Sequence, residues 1–175
     1  RRAVHEFKFP DKLLKYIPYG VAFHAIERLP NPHPEIPRLI YLGRLIEEQK
    51  RVSRLPILVS QFRRLGLPFS LTIAGDGPER HTLQSQLGMD EQVHFIGRVE
   101  PSAVGLLLAQ HDFMLLLSDY EGMPVSILEA LNSGVMPVVS DLPGFREWLD
   151  PNNAVFARTQ DAGWACATAG AIFEA

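Results

Sequence analysis

The stretch Ser118-Asp119-Tyr120-Glu121-Gly122-Met123-Pro124-Val125-Ser126-Ile127-Leu128-Glu129-Ala130-Leu131-Asn132-Ser133-Gly134 decides how the chain is read. The apolar run Phe113-Met114-Leu115-Leu116-Leu117 leads into it. That run is short and bounded by polar residues, which is the pattern of a buried strand. Glu121-Gly122 supplies a tight turn. Pro124 stands where a helix begins, because its missing N–H is one of the donors that a first turn leaves unpaired. Val125, Leu128, Leu131 and Asn132 then recur at helical spacing, and Gly134 stands where a helix stops. A strand, a glycine turn and a helix N-terminus in that order present unpaired N–H groups and a positive dipole end, which suit an anion. Glu129 lies between Leu128 and Ala130 on a helix that otherwise looks buried. A buried carboxylate is costly unless it is hydrogen-bonded, so a protein partner or a ligand hydroxyl must satisfy it.

Outward from this stretch, strands alternate with helices. Strands are expected at residues 38–43, 69–74, 93–97, 112–117 and 135–140, with a weaker sixth at 153–157. A polar turn is expected at 44–51, and helices after it to Leu65, with Pro56 near the start, at 79–87, at 101–110, around 145–149, and from Thr159 or Asp161 onward. Most strands are continuously apolar, so the fold class is α/β, a parallel sheet of about six strands with helices on both faces. Ligands of such sheets bind outside the carboxyl ends of the strands. The glycine and charged turns all fall there: Gly43-Arg44, Gly75-Asp76-Gly77, Gly97-Arg98, Glu121-Gly122 and Asp141.

The 175 residues suffice for one domain with a sizeable core. A formal net charge of −3 argues against a dedicated nucleic-acid binder. Cys166 is alone, which excludes an intrachain disulfide and a cysteine-based zinc site. No uncharged apolar run approaches the ~20 residues of a membrane span, and no secretory signal is present. Residues 1–37 hold a basic aromatic start and the prolines Pro30, Pro32, Pro34 and Pro37, which imply an extended linker. The chain begins Arg1-Arg2 and ends within a helical pattern, so a fragment of a longer protein is expected, its regular domain spanning residues 38–175 and cut short at the carboxyl end.

Arg44 and Lys50, in the first turn after strand one, form a cationic pair suited to a diphosphate, or else two solvated loop residues. Gly75-Asp76-Gly77-Pro78 resembles the start of a dinucleotide fingerprint, but Arg80 replaces its last glycine and Asp76 would repel a pyrophosphate, so a plain turn suffices. His5, His24, His33, His81, His94 and His111 show no metal spacing, and no metal is expected. Ser118, Ser126, Ser133 and Ser140 lack the context of a nucleophile.

Glu121 and Glu129, with seven residues between them, match the E-x7-E signature of retaining GT-B glycosyltransferases, and the surroundings resemble family 4. Ile17-Pro18-Tyr19-Gly20-Val21 resembles the hinge into the second domain, and Tyr41-Leu42-Gly43-Arg44-Leu45 the first strand with its phosphate-binding arginine. Ile73 to Pro78, Val93 to Gly97, Glu129-Ala130-Leu131 with Gly134, and Pro137-Val138-Val139 match in order. The resemblance implies a Rossmann-like domain, one half of a GT-B fold, that binds the donor. It implies that Arg44 and Lys50 hold the donor diphosphate, and that Glu121 holds sugar hydroxyls. Gly43 and the backbone at Gly122, Met123, Pro124 and Val125 would contact sugar and phosphate. Glu129 would accept from the ribose hydroxyls, and Arg98 with Val99 would lie beside the base. Arg44, Lys50 and Glu121 would carry the catalysis. One departure is plain: the family has Lys-Gly where this chain has Lys50-Arg51, which puts the course of that loop in question.

The implied reaction moves a sugar from a UDP-, GDP- or ADP-sugar to an acceptor hydroxyl with retained configuration, without a metal or other cofactor. The implied partners are the nucleotide-sugar donor and the protein's own amino-terminal acceptor domain, missing here, so the chain alone is expected to be inactive. No nucleic acid is expected. The expected location is the cytoplasm, with peripheral contact at the inner face of a membrane made through the missing domain. Rival readings are a GT-B nucleotide-sugar epimerase and a scaffold that kept the fold and lost the site. A nicotinamide-dependent oxidoreductase is disfavoured by Arg80 and Asp76.

Overall fold

The computed structural model describes residues 28–175, so the proposed hinge at 17–21 lies outside the described residues. Six parallel strands form one sheet: β1 (Arg38–Leu42), β2 (Ser70–Ala74), β3 (Val93–Gly97), β4 (Phe113–Leu116), β5 (Met136–Ser140) and β6 (Val155–Ala157). Their spatial order is β3-β2-β1-β4-β5-β6. The chain therefore runs outward from β1 in one direction and then returns to build outward from β1 in the other. The crevice where that order reverses, between the carboxyl ends of β1 and β4, is where doubly wound sheets bind ligands.

The helices between the strands are α1 (Glu47–Lys50), α2 (Arg54–Arg64), α3 (Arg80–Leu87), α4 (Pro101–Leu108), α5 (Val125–Asn132), α6 (Pro143–Arg146) and α7 (Trp164–Glu174). Successive strand residues point to opposite faces, and each face has its own core. On one, Leu39, Tyr41, Leu71, Ile73, Leu115 and Val138 pack with Leu58 and Phe62 of α2, Leu83 of α3 and Ala169 of α7. On the other, Ile40, Met114, Leu116 and Val139 pack with Leu108, Ile127, Ala130 and Phe145. Burial on both faces is why the strand sequences are continuously apolar. No helix among the described residues is long and apolar enough to cross a membrane.

Four helices differ from the sequence expectation, the first being α1, which forms inside the polar turn expected at 44–51. In α5 the fully buried positions are Ile127 and Ala130, while Val125 is 43% exposed. The apolar repeat at 125, 128 and 131 was therefore offset from the face that meets the sheet. The final helix starts at Trp164, later than Thr159 or Asp161, because Gly163 takes a left-handed φ of 78° and breaks the turn before it. Helix α6 stops at Arg146, and the chain reaches Leu149 through turn bonds from Trp148 and Leu149 to the Phe145 carbonyl. Pro56 falls in the first turn of α2, where its ring displaces no helical partner.

Candidate functional site

The carboxyl ends of the strands bring the expected residues to one edge. Gly43 and Arg44 follow β1, Arg98 and Val99 follow β3, and residues 117–124 link β4 to α5. Tyr41 is buried beneath the first of these turns, and its hydroxyl donates to the Arg44 carbonyl at 2.6 Å. Burial, and then the nearby charge of Glu121, push its pKa above that of an ordinary tyrosine. The Arg44 guanidinium is exposed and bonds to no described residue.

The Gly75-Asp76-Gly77 turn packs directly against this one. A Cβ on Gly75 would lie 1.8 Å from the Gly43 carbonyl oxygen, and one on Gly77 would lie 2.3 Å from that of Leu45. Gly43 N–H donates to Ala74, Leu45 N–H to Asp76 and Glu79 N–H to Leu45, at 3.0, 2.9 and 3.1 Å. Those glycines thus make room for the neighbouring backbone. The Asp76 carboxylate accepts from Gly77 N–H at 2.8 Å within its own turn. This is the plain turn that the sequence suggested.

Across the crevice, residues 47–54 are bound to the loop after β4. Arg54 Nη1 donates to the Leu117 carbonyl at 2.6 Å, and Asp119 N–H donates to the Gln49 carbonyl at 2.9 Å. Arg51 donates to the Asp119 carboxylate, and Arg54 Nη2 lies 2.7 Å from the other Asp119 oxygen. Gln49 Nε2 donates to the Tyr120 carbonyl at 3.1 Å. Lys50 Nζ donates to Glu121 at 2.6 Å, with the two side chains 17% and 7% exposed. The structure thus brings Lys50 and Glu121 together as a largely desolvated ion pair. Partial burial raises the pKa of Asp119, but the Arg51 and Arg54 guanidiniums outweigh it and hold the carboxyl below the usual range.

Met123 and Pro124 are half-buried and Gly122 is exposed. Pro124 is extended at the cap of α5 (φ −70°, ψ 120°), and no side chain caps that helix. Its first N–H groups are free of side-chain acceptors, which favours an incoming anion. Glu129 lies in the second turn of α5. Burial raises its pKa, and it bonds to no described residue. Ser118 and Ser140, at the ends of β4 and β5, are fully buried with unpartnered hydroxyls. Arg98 is exposed and stands two strands away from β1, about 10 Å at ordinary strand spacing.

Among the described residues, no group of three or more His, Cys, Asp or Glu side chains could hold a metal. A cavity of about 390 Å³ opens at the opposite edge, beside Arg28, Asn31, Asp112, Met136 and Ile172. Arg28 and Asn31 in its wall are both bonded to Asp112.

Sequence reasoning missed Asp119, Arg51, Arg54, Gln49 and Tyr41. Asp119 lay inside the decisive stretch, but its partner Arg51 is 68 residues away, and no local spacing signals that pairing. At the Lys50-Arg51 departure, Arg51 takes the left-handed conformation (φ 47°, ψ 49°), a backbone state that glycine adopts without strain.

The chain matches the family described as glycosyl transferases group 1 over residues 26–168. It is 28% identical over 151 residues to the O-antigen biosynthesis glycosyltransferase WbnH of Escherichia coli, covering 81% of this chain and 42% of that protein. It is 31% identical over 131 residues to the lipopolysaccharide 1,6-galactosyltransferase of Salmonella typhimurium, covering 70% of this chain and 36% of that enzyme. Among solved structures, the lipopolysaccharide outer core galactosyltransferase WaaB superimposes with a TM-score of 0.73 at 26% identity, covering 88% of this chain and 44% of that one. The pneumococcal O-GlcNAc transferase GtfA, solved with UDP and GlcNAc, shares the fold with a TM-score of 0.65 at 19% identity, covering 85% of this chain and 31% of that one. This chain therefore spans less than half the length of these relatives.

Proposed function

As this chain belongs to the glycosyl transferases group 1 family and has the architecture of the carboxy-terminal half of a GT-B glycosyltransferase, we propose that it binds the nucleoside diphosphate sugar donor of a retaining transferase. One observation carries the proposal: the unpartnered Arg44 guanidinium stands at the end of β1, and the uncapped N-terminus of α5 follows β4, on the two sides of the topological switch. A diphosphate placed between them meets a planar fork on one side and backbone N–H groups on the other. As the donor bond breaks, negative charge builds on the leaving diphosphate. Arg44 and the α5 N-terminus stabilise that charge, joined by Lys50 once it leaves Glu121, which lowers the barrier electrostatically.

Glu121 and Glu129 act as hydroxyl acceptors in this reading, not as an acid and base. Glu129 needs a donor to offset its burial, and ribose hydroxyls supply one. Glu121 is held by Lys50 and meets the sugar hydroxyls when the diphosphate draws the ammonium away. Arg98 and Val99 flank the base. The acceptor site, and any membrane contact made to reach the acceptor, belong to a second domain preceding this one, with residues 1–37 as its tail and the connecting hinge.

Calorimetric titration of the chain with UDP, GDP and ADP tests the proposal and identifies the base. Binding of one of them is expected, without sugar transfer by the chain alone. Arg44→Ala is expected to weaken that binding by ~1.5–3 kcal/mol, the range for hydrogen bonds to charged groups. A chain that binds none of the three favours a scaffold. Unchanged affinity in Arg44→Ala removes that residue from the site.

A further inference from the structure

We infer that Asp119 is a positioning residue: through Arg51 it fixes the left-handed turn after Lys50 and so aims Lys50 into the crevice between β1 and β4. The inference rests on the donor-binding reading only for what Lys50 meets there.

Arg51 is the non-glycine residue with positive φ among the described residues, at φ 47° and ψ 49°. A side chain disfavours that conformation, because its Cβ crowds the following carbonyl. The surroundings must therefore hold it. Its peptide N–H donates to the Glu47 carbonyl at 3.2 Å and ends α1. Its guanidinium is hydrogen-bonded to the Asp119 carboxylate, with Glu47 Oε1 at 3.5 Å from Nη1. Glu47 is itself fixed by Ser53, whose N–H and hydroxyl donate to it at 3.0 and 2.7 Å.

Residue 119 grips the chain on both sides of Lys50. Its N–H bonds the Gln49 carbonyl at 2.9 Å, and its carboxylate takes the Arg51 side chain. Lys50 is thereby carried onto the loop that holds Glu121, two residues beyond Asp119, and Nζ lies 2.6 Å from that carboxylate. A glycine at position 51 would take the same backbone conformation unaided. An arginine there depends on an anion opposite, and Asp119 is that anion. Asp119 also faces Arg54, at 2.7 Å, so a general structural role must be separated from the positioning one.

The separation comes from a rescue. Four forms of the full chain are compared: wild type, Asp119→Asn, Arg51→Gly and the double variant. Two readouts are taken, affinity for whichever of UDP, GDP and ADP the wild type binds, and acetic anhydride labelling of Lys50 followed by peptide mass spectrometry. Asp119→Asn is expected to weaken nucleotide binding about tenfold and to raise Lys50 labelling, as the turn and the Lys50–Glu121 pair loosen. Arg51→Gly and the double variant are expected to stay within about twofold of wild type in both, because glycine makes the anion unnecessary. A loss in Asp119→Asn that persists in the glycine background overturns the inference, since it would report the Arg54 contact. No change in Asp119→Asn also overturns it. A wild type that binds no nucleotide but gives this labelling pattern supports the positioning pair and overturns the donor-binding function.

Discussion

At the amino edge of the sheet, Asp112 sits among Arg28, Asn31 and Arg38. At the carboxyl edge, the side chains of Arg44 and Glu129 bond to no described residue. Asp112 Oδ2 accepts from Asn31 Nδ2 and Arg38 N–H, each at 2.8 Å, and Oδ1 accepts from Arg38 Nη2 at 2.9 Å and from Arg28. Arg38 Nε donates to Oδ2 at 3.2 Å, and Nη2 also reaches the Leu29 carbonyl at 2.9 Å. That cluster ties the segment before β1 to the start of β4 and gives the Asp112 carboxylate its partners within the fold. At the other edge, Lys50 and Glu121 are paired, while the same edge carries an exposed guanidinium, a helix with no side-chain cap and a carboxylate without a partner among the described residues. Charge that is fully satisfied stabilises the fold. Charge left unsatisfied at a topological switch is available for binding.

The largest effect should come from breaking the amino-edge cluster. Asp112→Ala leaves Arg38, only 18% exposed, without its anion, and should destabilise the chain by ~3 kcal/mol. Denaturant unfolding measures it, and an unchanged midpoint would remove the cluster from any account of stability. The effect has a pH signature. Burial pushes Asp112 up, but hydrogen bonds from Arg38 and Arg28 outweigh it and hold the carboxyl below its ordinary value. A depressed folded pKa gives stability that is present above the unfolded value, about 4, and is lost as pH falls through the folded one. The gap between wild type and Asp112→Asn should therefore close in acid.

Lys50→Ala comes next. It leaves Glu121 largely buried with only Gln49 Nε2 at 3.4 Å, and should cost about 2 kcal/mol of stability together with diphosphate affinity. Loss of affinity alone would mean that Glu121 finds another donor. Arg44→Ala sharpens the contrast further. Its guanidinium bonds to no described residue, so stability should stay within ~0.5 kcal/mol while nucleotide affinity falls. A large drop in unfolding temperature would make Arg44 a structural residue.

The sheet was legible because each strand is a short apolar run bounded by turns, and the turns carry the charges. The edge proposed to bind the donor could be placed from the strand–turn–helix reading of residues 113–134 together with the charged turns after the other strands. Strand order could not, since nothing in the sequence says that β4 lies beside β1. For the same reason the Lys50–Glu121 contact, between residues 71 apart, was invisible, as was the Asp119 grip. Helix α5 was found, but its buried face was misplaced, because Ile127 and Ala130 meet the sheet in a helix that is apolar on several sides. Lys50-Arg51 looked like a departure in loop course. The backbone there is left-handed at Arg51, which the residue type alone does not announce.

The smallest expected change runs the other way and bears most directly on what the carboxyl edge is for. Burial raises the Glu129 pKa with no described partner to offset it. A carboxyl whose folded pKa lies above the unfolded value contributes stability below the unfolded value, about 4.3, and that contribution is lost as pH rises through the folded one. At pH 7 the charged form is therefore a burden on the free protein. Glu129→Gln should raise the unfolding temperature slightly at pH 7, with the gain vanishing near pH 4. With bound nucleotide the sign should reverse, because the carboxylate then accepts ribose hydroxyls more strongly than an amide can. A variant that is more stable alone but less stabilised by nucleotide would tie the unmet charge to the ligand. A gain that persists unchanged in saturating nucleotide would leave Glu129 outside the site.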